Sequence, residues 1–473
     1  MPVYGSIAAF TPDNEALPEI ELTKVQQDLY QSARPGYGTR NRLEVSFNLV
    51  NATSKNEKGI PFAIYHAGFI FGLSISVFVA IISQLGLYML IIAGRRVEIY
   101  KYAELTEYLM GRTGYHFLNI VLLVQSLGIT VSYFILMGDT LPVLINLYFP
   151  EYKLSRELIV CLISLLFVFP LLLPRSIGAL ARFSVISVLC IPVIILVIII
   201  RAPAYIPQDH KWPITWTGPD LFGALGIIAF AFACPHVAFN NYLAQRNQSS
   251  RAWYWTTVTA TSMSWGVTIL FALVGYLSFG EQVHPNLFLN FTPDDGIINI
   301  GRFALGFSMI LTIPMGFYPT RESLQKIVGL ETADRHPSKL EHILITLVTF
   351  GTILYLGITV HSLGKVYALV GGFCATTLAY IIPGAAYLLA GRQQSFSMLH
   401  KRLTEDESDT LVDTNTIIDT NTIRTTETTT TKLYDQDNSV VMDVAAGLLV
   451  IWGLFVMVVS TSGVFTNPSS SNL

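Results

Sequence analysis

Charge is scarce in this sequence. Only 13% of its 473 residues are Asp, Glu, Lys or Arg, where a soluble domain carries about 25%. Since 52% are hydrophobic, more than any soluble core of this length needs, a water-soluble globule is excluded. Cysteine is rare too. Cys161, Cys190, Cys234 and Cys374 all fall in apolar stretches, so neither a disulfide framework nor a zinc site is indicated. There is no basic stripe, and a net charge of -3 gives no sign of a nucleic-acid partner. The first 44 residues are polar and lack the apolar core of a secretory leader, so the first spans are expected to direct insertion themselves. No Gly-rich phosphate loop, metal-spaced His/Cys set or nucleophile elbow occurs in the polar segments. The expectation is therefore a protein that is not an enzyme and carries no cofactor beyond a coupling ion.

What the chain does have is long apolar runs. A bilayer core of roughly 30 Å takes about 20 such residues as helix. That ruler gives spans near 69–93, 115–138, 158–173, 183–200, 221–242, 256–278, 298–319, 341–360, 365–389 and 442–465. Ahead of them lies 44–66, apolar at both ends but with Lys55, Glu57 and Lys58 in the middle. Facing lipid, three such charges would cost roughly 8–10 kcal/mol. The segment either stays outside the bilayer or spans it with a broken centre turned to protein and water. The second reading is preferred, which makes eleven spans and an all-α integral membrane protein.

Basic residues set the orientation. With the N-terminus in the cytosol, 21 Lys and Arg fall on the cytosolic side and 5 on the other, leaving Lys55, Lys58 and Arg302 inside spans. Segments 94–113 and 321–340 contribute most, and the loop 280–297 has none. That loop also holds the sequon Asn290-Phe291-Thr292, which would face the lumen or exterior. The composition predicts a disordered cytosolic tail over 1–43, a ten-span core over 44–390 and a disordered cytosolic loop over 391–440. An eleventh span over 441–466 and a short non-cytosolic tail over 467–473 complete the chain. The Thr-rich loop reads as a solvated linker or as a phosphorylated regulatory segment.

Breaker residues fall in two spans at matching positions. The first span contains Gly59 and Pro61 after its charged centre, and the sixth contains Pro235 beside His236, Asn240 and Asn241. A lone proline kink is often only structural. A second break at the same place in the other half favours a five-plus-five inverted repeat, about 44–200 and 219–390, with a cavity where the breaks meet. Unwound backbone there exposes N–H groups that favour a carboxylate and carbonyls that accept an ammonium or a cation. A zwitterionic amino acid matches both.

An ordered set of motifs carries a resemblance: NLVNA (48–52), PFAIYHAGF (61–69), SYFILMGD (132–139), GYLSFG (275–280) followed by Asn286 and LN (289–290), TIPMGFYPTRESL (312–324), LGKVYALVGG (363–372) and IPGAAYL (382–388). From about Phe47 to the end of the eleventh span, excluding 391–440, the chain resembles the amino acid/auxin permease family, which includes vacuolar and sodium-coupled neutral amino acid transporters. The resemblance implies a LeuT-like fold and secondary active transport of an amino acid by alternating access, coupled to protons or sodium. It implies a vacuolar, lysosomal or plasma membrane home in the lipid bilayer. A monomer is compatible with it.

Substrate-binding candidates are Asn48, Asn51, Ala52, Thr53 and Gly59 around the first break and Cys234, His236 and Asn240 around the second. By resemblance, Asn51 and Thr312 match positions that hold the ion in sodium-coupled members; a helix Thr bonded to its own backbone is the plainer alternative. His236 suits sensing of an acidic lumen or a buried structural role. Asp139 and Arg302 are a candidate gate pair or solvated helix-end charges. One departure stands out. Family members carry a Gly-rich stretch where this chain reads TSKNEKG (53–59), whose side chains would crowd a substrate carboxylate. A different substrate, lost transport with a sensor role, or an altered exon boundary all fit that change.

Overall fold

A single apolar run inside a bilayer must satisfy its own backbone, and only a helix does so. The computed structural model describes residues 35–54, 59–174, 181–206, 214–330, 337–393 and 440–466. Among them there are helices and loops but no strand beyond one isolated bridge. In order these are α1 (Arg42–Ser54), α2 (Ile60–Ala67), α3 (Phe69–Arg96), α4 (Tyr102–Tyr148), α5 (Arg156–Ile163), α6 (Ala181–Arg201), α7 (Leu221–Phe232), α8 (Ala238–Ala244), α9 (Ser250–Phe279), α10 (Gly296–Ile327), α11 (Lys339–Thr359), α12 (Leu363–Leu369) and α13 (Val440–Thr466). α5 runs on through a π-turn to Leu172, and α12 through two π-turns and further helix to Gln393. Eight helices, counting α7–α8 as one, are long and apolar enough to cross a membrane.

Local chemistry sets where they begin. Ser155, Asp220, Ser249, Asp295, Ser338 and Ser362 each accept a hydrogen bond from a first-turn N–H, relieving donors the helix leaves open. At Ser338 the device is reciprocal, with the Glu341 carboxylate accepting from the Ser338 N–H. α4 bends at Gly111, whose φ of 73° no side chain tolerates cheaply.

α10 lies against α4 and α6, while α9 packs on α1, α2 and α3. α7 is buried from Gly223 to Phe232, enclosed by α2, α12 and α13. Its crossing with α12 is close because both sides are small: a Cβ at Gly371 would lie 1.9 Å from the Gly226 carbonyl oxygen.

The segment 44–66 is inside the bundle. Val45, Ser46 and Leu49 of α1 are buried, as are Ile60 to Ile64 of α2. Lys55, Glu57 and Lys58 lie outside the described residues, as do most of the expected tail 1–43, residues 394–439 of the expected loop and all of 467–473. Arg321 belongs to α10 and is buried, donating to the carbonyls of Leu172 (2.9 Å) and Pro174 (3.3 Å) and to Thr346 Oγ1 (3.2 Å). The last carbonyls after α5 need donors, and a guanidinium supplies several at once.

Candidate functional site

The sixth span is interrupted as its sequence requires. Proline lacks an N–H and disfavours helical geometry in the residue before it. Ala233 and Cys234 accordingly leave the helical region, with ψ values of 112° and 36°. The chain restarts as a 3₁₀ turn over Pro235–Val237 and then as α8. In the first span α1 is described to Ser54 and α2 from Ile60, with Gly59 as its N-cap; residues 55–58 between them lie outside the described residues.

Between the two breaks and α9 lies a small cavity lined by Leu49, Thr53, Phe232, Cys234, Thr261 and Ser264, with Leu87 and Ala260 closing it. At about 10 Å³ it holds roughly one water, so an amino acid enters only if the surrounding helices move. Its polar wall is a hydroxyl pair. Thr53 Oγ1 meets Ser264 Oγ across the α1–α9 interface and also lies 2.9 Å from the Val50 carbonyl of its own helix.

Of the substrate-binding candidates, the structure brings Thr53 and Cys234 to this cavity. Asn48, Asn51 and Ala52 are half-buried elsewhere on α1. Gly59 is buried, and a Cβ there would lie 2.9 Å from the Tyr367 ring. His236 and Asn240 are exposed, which corrects the reading of His236 as a buried structural histidine. Successive residues of a 3₁₀ turn point about a third of a circle apart, so His236 turns away from the face that Cys234 presents.

Thr312 faces α6. Its hydroxyl donates to the Ser308 carbonyl (2.7 Å) and meets Ser187 Oγ (2.6 Å), which also meets Ser308 Oγ (3.1 Å). Asn51 is not among these partners. Asp139 and Arg302 are not paired with each other. Asp139 accepts from Arg156 (3.4 Å) and Asn286 (3.3 Å). Arg302 is buried and donates to the carbonyls of Phe288 (3.0 Å), Phe291 (2.8 Å) and Thr292 (3.1 Å) and to Asn299 Oδ1 (2.7 Å). It is therefore no solvated end charge. It holds the 287–292 segment, a short 3₁₀ turn over Leu287–Asn290 and the residues after it, by supplying donors to its carbonyls. In the sequon there, Asn290 donates to Gln282 O (2.6 Å) and accepts from His284 N (2.9 Å).

Sequence reasoning missed Thr261, Ser264 and Tyr367. The hydroxyl-rich run TATSMS (259–264) was a signal for the first two, but membrane-helix Ser and Thr commonly bond their own carbonyls and look alike until packed. Tyr367 lies beside the first break, fully buried, and its hydroxyl has no hydrogen-bond partner among the described residues.

Both ends of the broken pair are tied. At one end, Asp220 N donates to the His66 carbonyl (3.0 Å), and Ile70 N to that of Thr215 (3.1 Å). Gly68 makes the turn with φ 89°, and a Cβ on it would sit 2.5 Å from Thr217 backbone. At the other end, Arg40 and Gln245 form a parallel bridge, Arg40 N donating to Ala244 O and Arg246 N to Arg40 O, each at 2.9 Å. A Cβ at Gly38 would lie 2.1 Å from the Gln245 oxygen.

Before α10, Asp295 pairs with Arg201 (2.7 Å) and accepts from Tyr205 (2.9 Å). Burial alone would raise its carboxyl. The bonds from Arg201, the Ile298 N–H and Tyr205 outweigh that and hold it below the ordinary carboxylate range.

Interrupted helices meeting at a buried polar cavity within a bundle of membrane spans define a solute carrier of the bilayer. Residues 52–405 match the family described as transmembrane amino acid transporter protein. The chain belongs to that family. It is 30% identical over 349 residues to "Putative sodium-coupled neutral amino acid transporter 11" of Bos taurus, covering 72% of this chain and 74% of the relative. With vacuolar amino acid transporter 2 of Saccharomyces cerevisiae it shares 29% identity over 353 residues, 70% of this chain and 72% of the relative. Among solved structures it is similar to the manganese transporter of Eremococcus coleocola, at 16% identity and a TM-score of 0.46, covering 93% of this chain and 97% of that one.

Proposed function

We propose that this multi-pass membrane protein carries amino acids by secondary active transport, alternating access around the α1–α2 and α7–α8 breaks. The observation that carries this reading is the cavity where Thr53 and Cys234, one from each break, face each other beside Ser264. In the proposed arrangement α1–α2, α5 and α6 add three crossings to the eight apolar ones. The total is then eleven, two five-span repeats with α13 appended. Substrate occupies the enlarged cavity, its carboxylate at the freed N–H groups and its ammonium at the freed carbonyls. The Tyr367 hydroxyl supplies a further polar contact near the first break. Asn48, Asn51, Ala52, Gly59, His236 and Asn240 belong to the proposed site in its open form.

Sodium is the favoured coupling ion. The cavity has hydroxyls and no carboxylate or imidazole, and the Ser187–Ser308–Thr312 cluster offers neutral hard oxygens of the kind sodium takes. A vacuolar or plasma membrane is the proposed home. No observation favours the alternative of a non-transporting sensor.

The test is uptake of a labelled amino acid mixture into proteoliposomes under an imposed sodium or pH gradient. A version with 53–60 made Gly-rich runs in parallel. Sodium-driven flux in the natural chain is expected. Flux driven only by a pH gradient would overturn the ion, and flux confined to the Gly-rich version would overturn transport by this chain.

A further inference from the structure

A second and much larger cavity lies apart from the broken-helix site. It is open, about 670 Å³ in volume, and sits where the lead-in to α1, the exit from α8 and the start of α9 meet. Arg40 and Arg42 line it from the first element, Arg246 from the second and Arg251 from the third, with Ser249 and Trp255 completing the wall. Four guanidinium groups therefore face one space. No carboxylate lines that space, and among the described residues none of the four makes an ion pair.

Like charges gathered this way repel one another and cost stability unless an anion joins them. Two further features add to the attraction. The 30-residue α9 begins here at its Ser249 cap, directing its first N–H groups and positive dipole end toward the same space. The backbone carrying Arg40 and Arg246 is also fixed in place by the bridge to Gln245 and Ala244, so the charges are pre-positioned. Tyr254 and Trp255, both exposed one turn into α9, mark the depth at which aromatic side chains border headgroups. By the distribution of Lys and Arg along the chain, this is the cytosolic face.

We propose that the cavity binds the phosphorylated headgroup of an anionic lipid of the cytosolic leaflet, of the polyphosphorylated inositol class. A clustered basic site immediately cytosolic of membrane helices has the charge for such a headgroup. The volume has room for it, and Arg forks bind phosphate in bidentate fashion. Trp255 at the rim packs against the glycerol and upper acyl region. The walls come from the start of α1, the loop that follows α8 and the start of α9, so an occupied site also joins the segments that flank α1 and α8.

The experiment uses the purified full-length chain and measures its binding of a short-chain phosphatidylinositol bisphosphate. Short-chain phosphatidylcholine, free inositol trisphosphate and inorganic phosphate are the comparison ligands. Removing two arginines with the double variant Arg246→Gln/Arg251→Gln is expected to weaken the phosphoinositide at least about tenfold. Arg112→Gln, the loss of one charge at another exposed basic position, is expected to leave it unchanged. Unaltered thermal unfolding of the double variant establishes that the loss is not misfolding. If its unfolding shifts, Arg42→Gln with the same readout replaces it. Equal binding by the double variant and Arg112→Gln would overturn the site. Equal affinity for inositol trisphosphate would overturn the lipid as its source in favour of a soluble polyphosphate. Binding that emerges only after deletion of residues 1–34, with their Asp13, Glu15, Glu19, Glu21 and Asp28, would overturn it in favour of the chain's own acidic tail.

Discussion

Thr53 and Ser264 put hydroxyls on facing helices at a small buried cavity, and Cys234 completes that wall with a thiol that fits a very small space. Volume therefore decides what a substitution does there. Cys234→Phe is predicted to fill the cavity and abolish uptake while the protein still purifies as a stable species; uptake within twofold of the natural chain would place the substrate elsewhere. Thr53→Val keeps the shape, removes the hydroxyl and leaves Ser264 facing a methyl group. It is predicted to raise the KM for uptake several-fold with little change in unfolding temperature. Arg302 illustrates the opposite case, a charge whose work is entirely structural. Replacing it with Met removes four hydrogen bonds, to three carbonyls and an amide oxygen. The expected loss is on the order of 3 kcal/mol of stability, visible as a lower unfolding temperature in detergent. Retained stability would mean that water satisfies that loop.

At the scale of helices, the two broken spans are fastened to each other twice, through Gly68 and the 215–220 segment at one end and through the Arg40–Gln245 bridge at the other. Gly38→Val is predicted to open the second fastening without touching the first, since a side chain there would drive into the Gln245 carbonyl. Faster alkylation of a cysteine placed at Asn48 would report the opening, and an unchanged rate would argue against it. Much of this level was legible in the sequence. Eight spans could be placed to within a few residues at most of their ends because bilayer thickness fixes the apolar length, and Pro235 announced its break because it cannot donate. The cavity partners on α9 were hidden, since a back-bonded Thr and a packed one have the same sequence. Arg302 was misjudged, and the burial of Arg321 was not foreseen, for a related reason. What they neutralise is backbone, and for Arg321 that backbone lies 149 residues away at Leu172.

For the molecule as a whole, acid stability can be predicted from the Asp295–Arg201 pair. The carboxyl of Asp295 is held below its ordinary range, so its contribution is complete at any pH above that range. It is lost as pH falls through the lowered value, below about pH 4. The gap in unfolding temperature between the natural chain and Asp295→Asn is thus expected to be the same at pH 7 and pH 5 and to shrink near pH 3.5. A gap that already closes at pH 5 would mean the pair contributes nothing in the folded state. The order of the eight long apolar helices was readable from hydropathy alone. How their faces meet was not, because a bundle with little charge has few sequence marks of register and relies on small residues such as Gly226 and Gly371 that are common throughout membrane helices.

The double fastening has a consequence for economy of the gradient. A carrier whose two broken spans were free of each other could part at both membrane faces together and let the driving ion run through unaccompanied. With one fastening on each side of the cavity, release at one face would leave the opposite closure intact. On the proposed sodium coupling, a chain lacking the Gly38 contact is therefore expected to dissipate an imposed sodium gradient faster than the natural chain, even in the absence of amino acid.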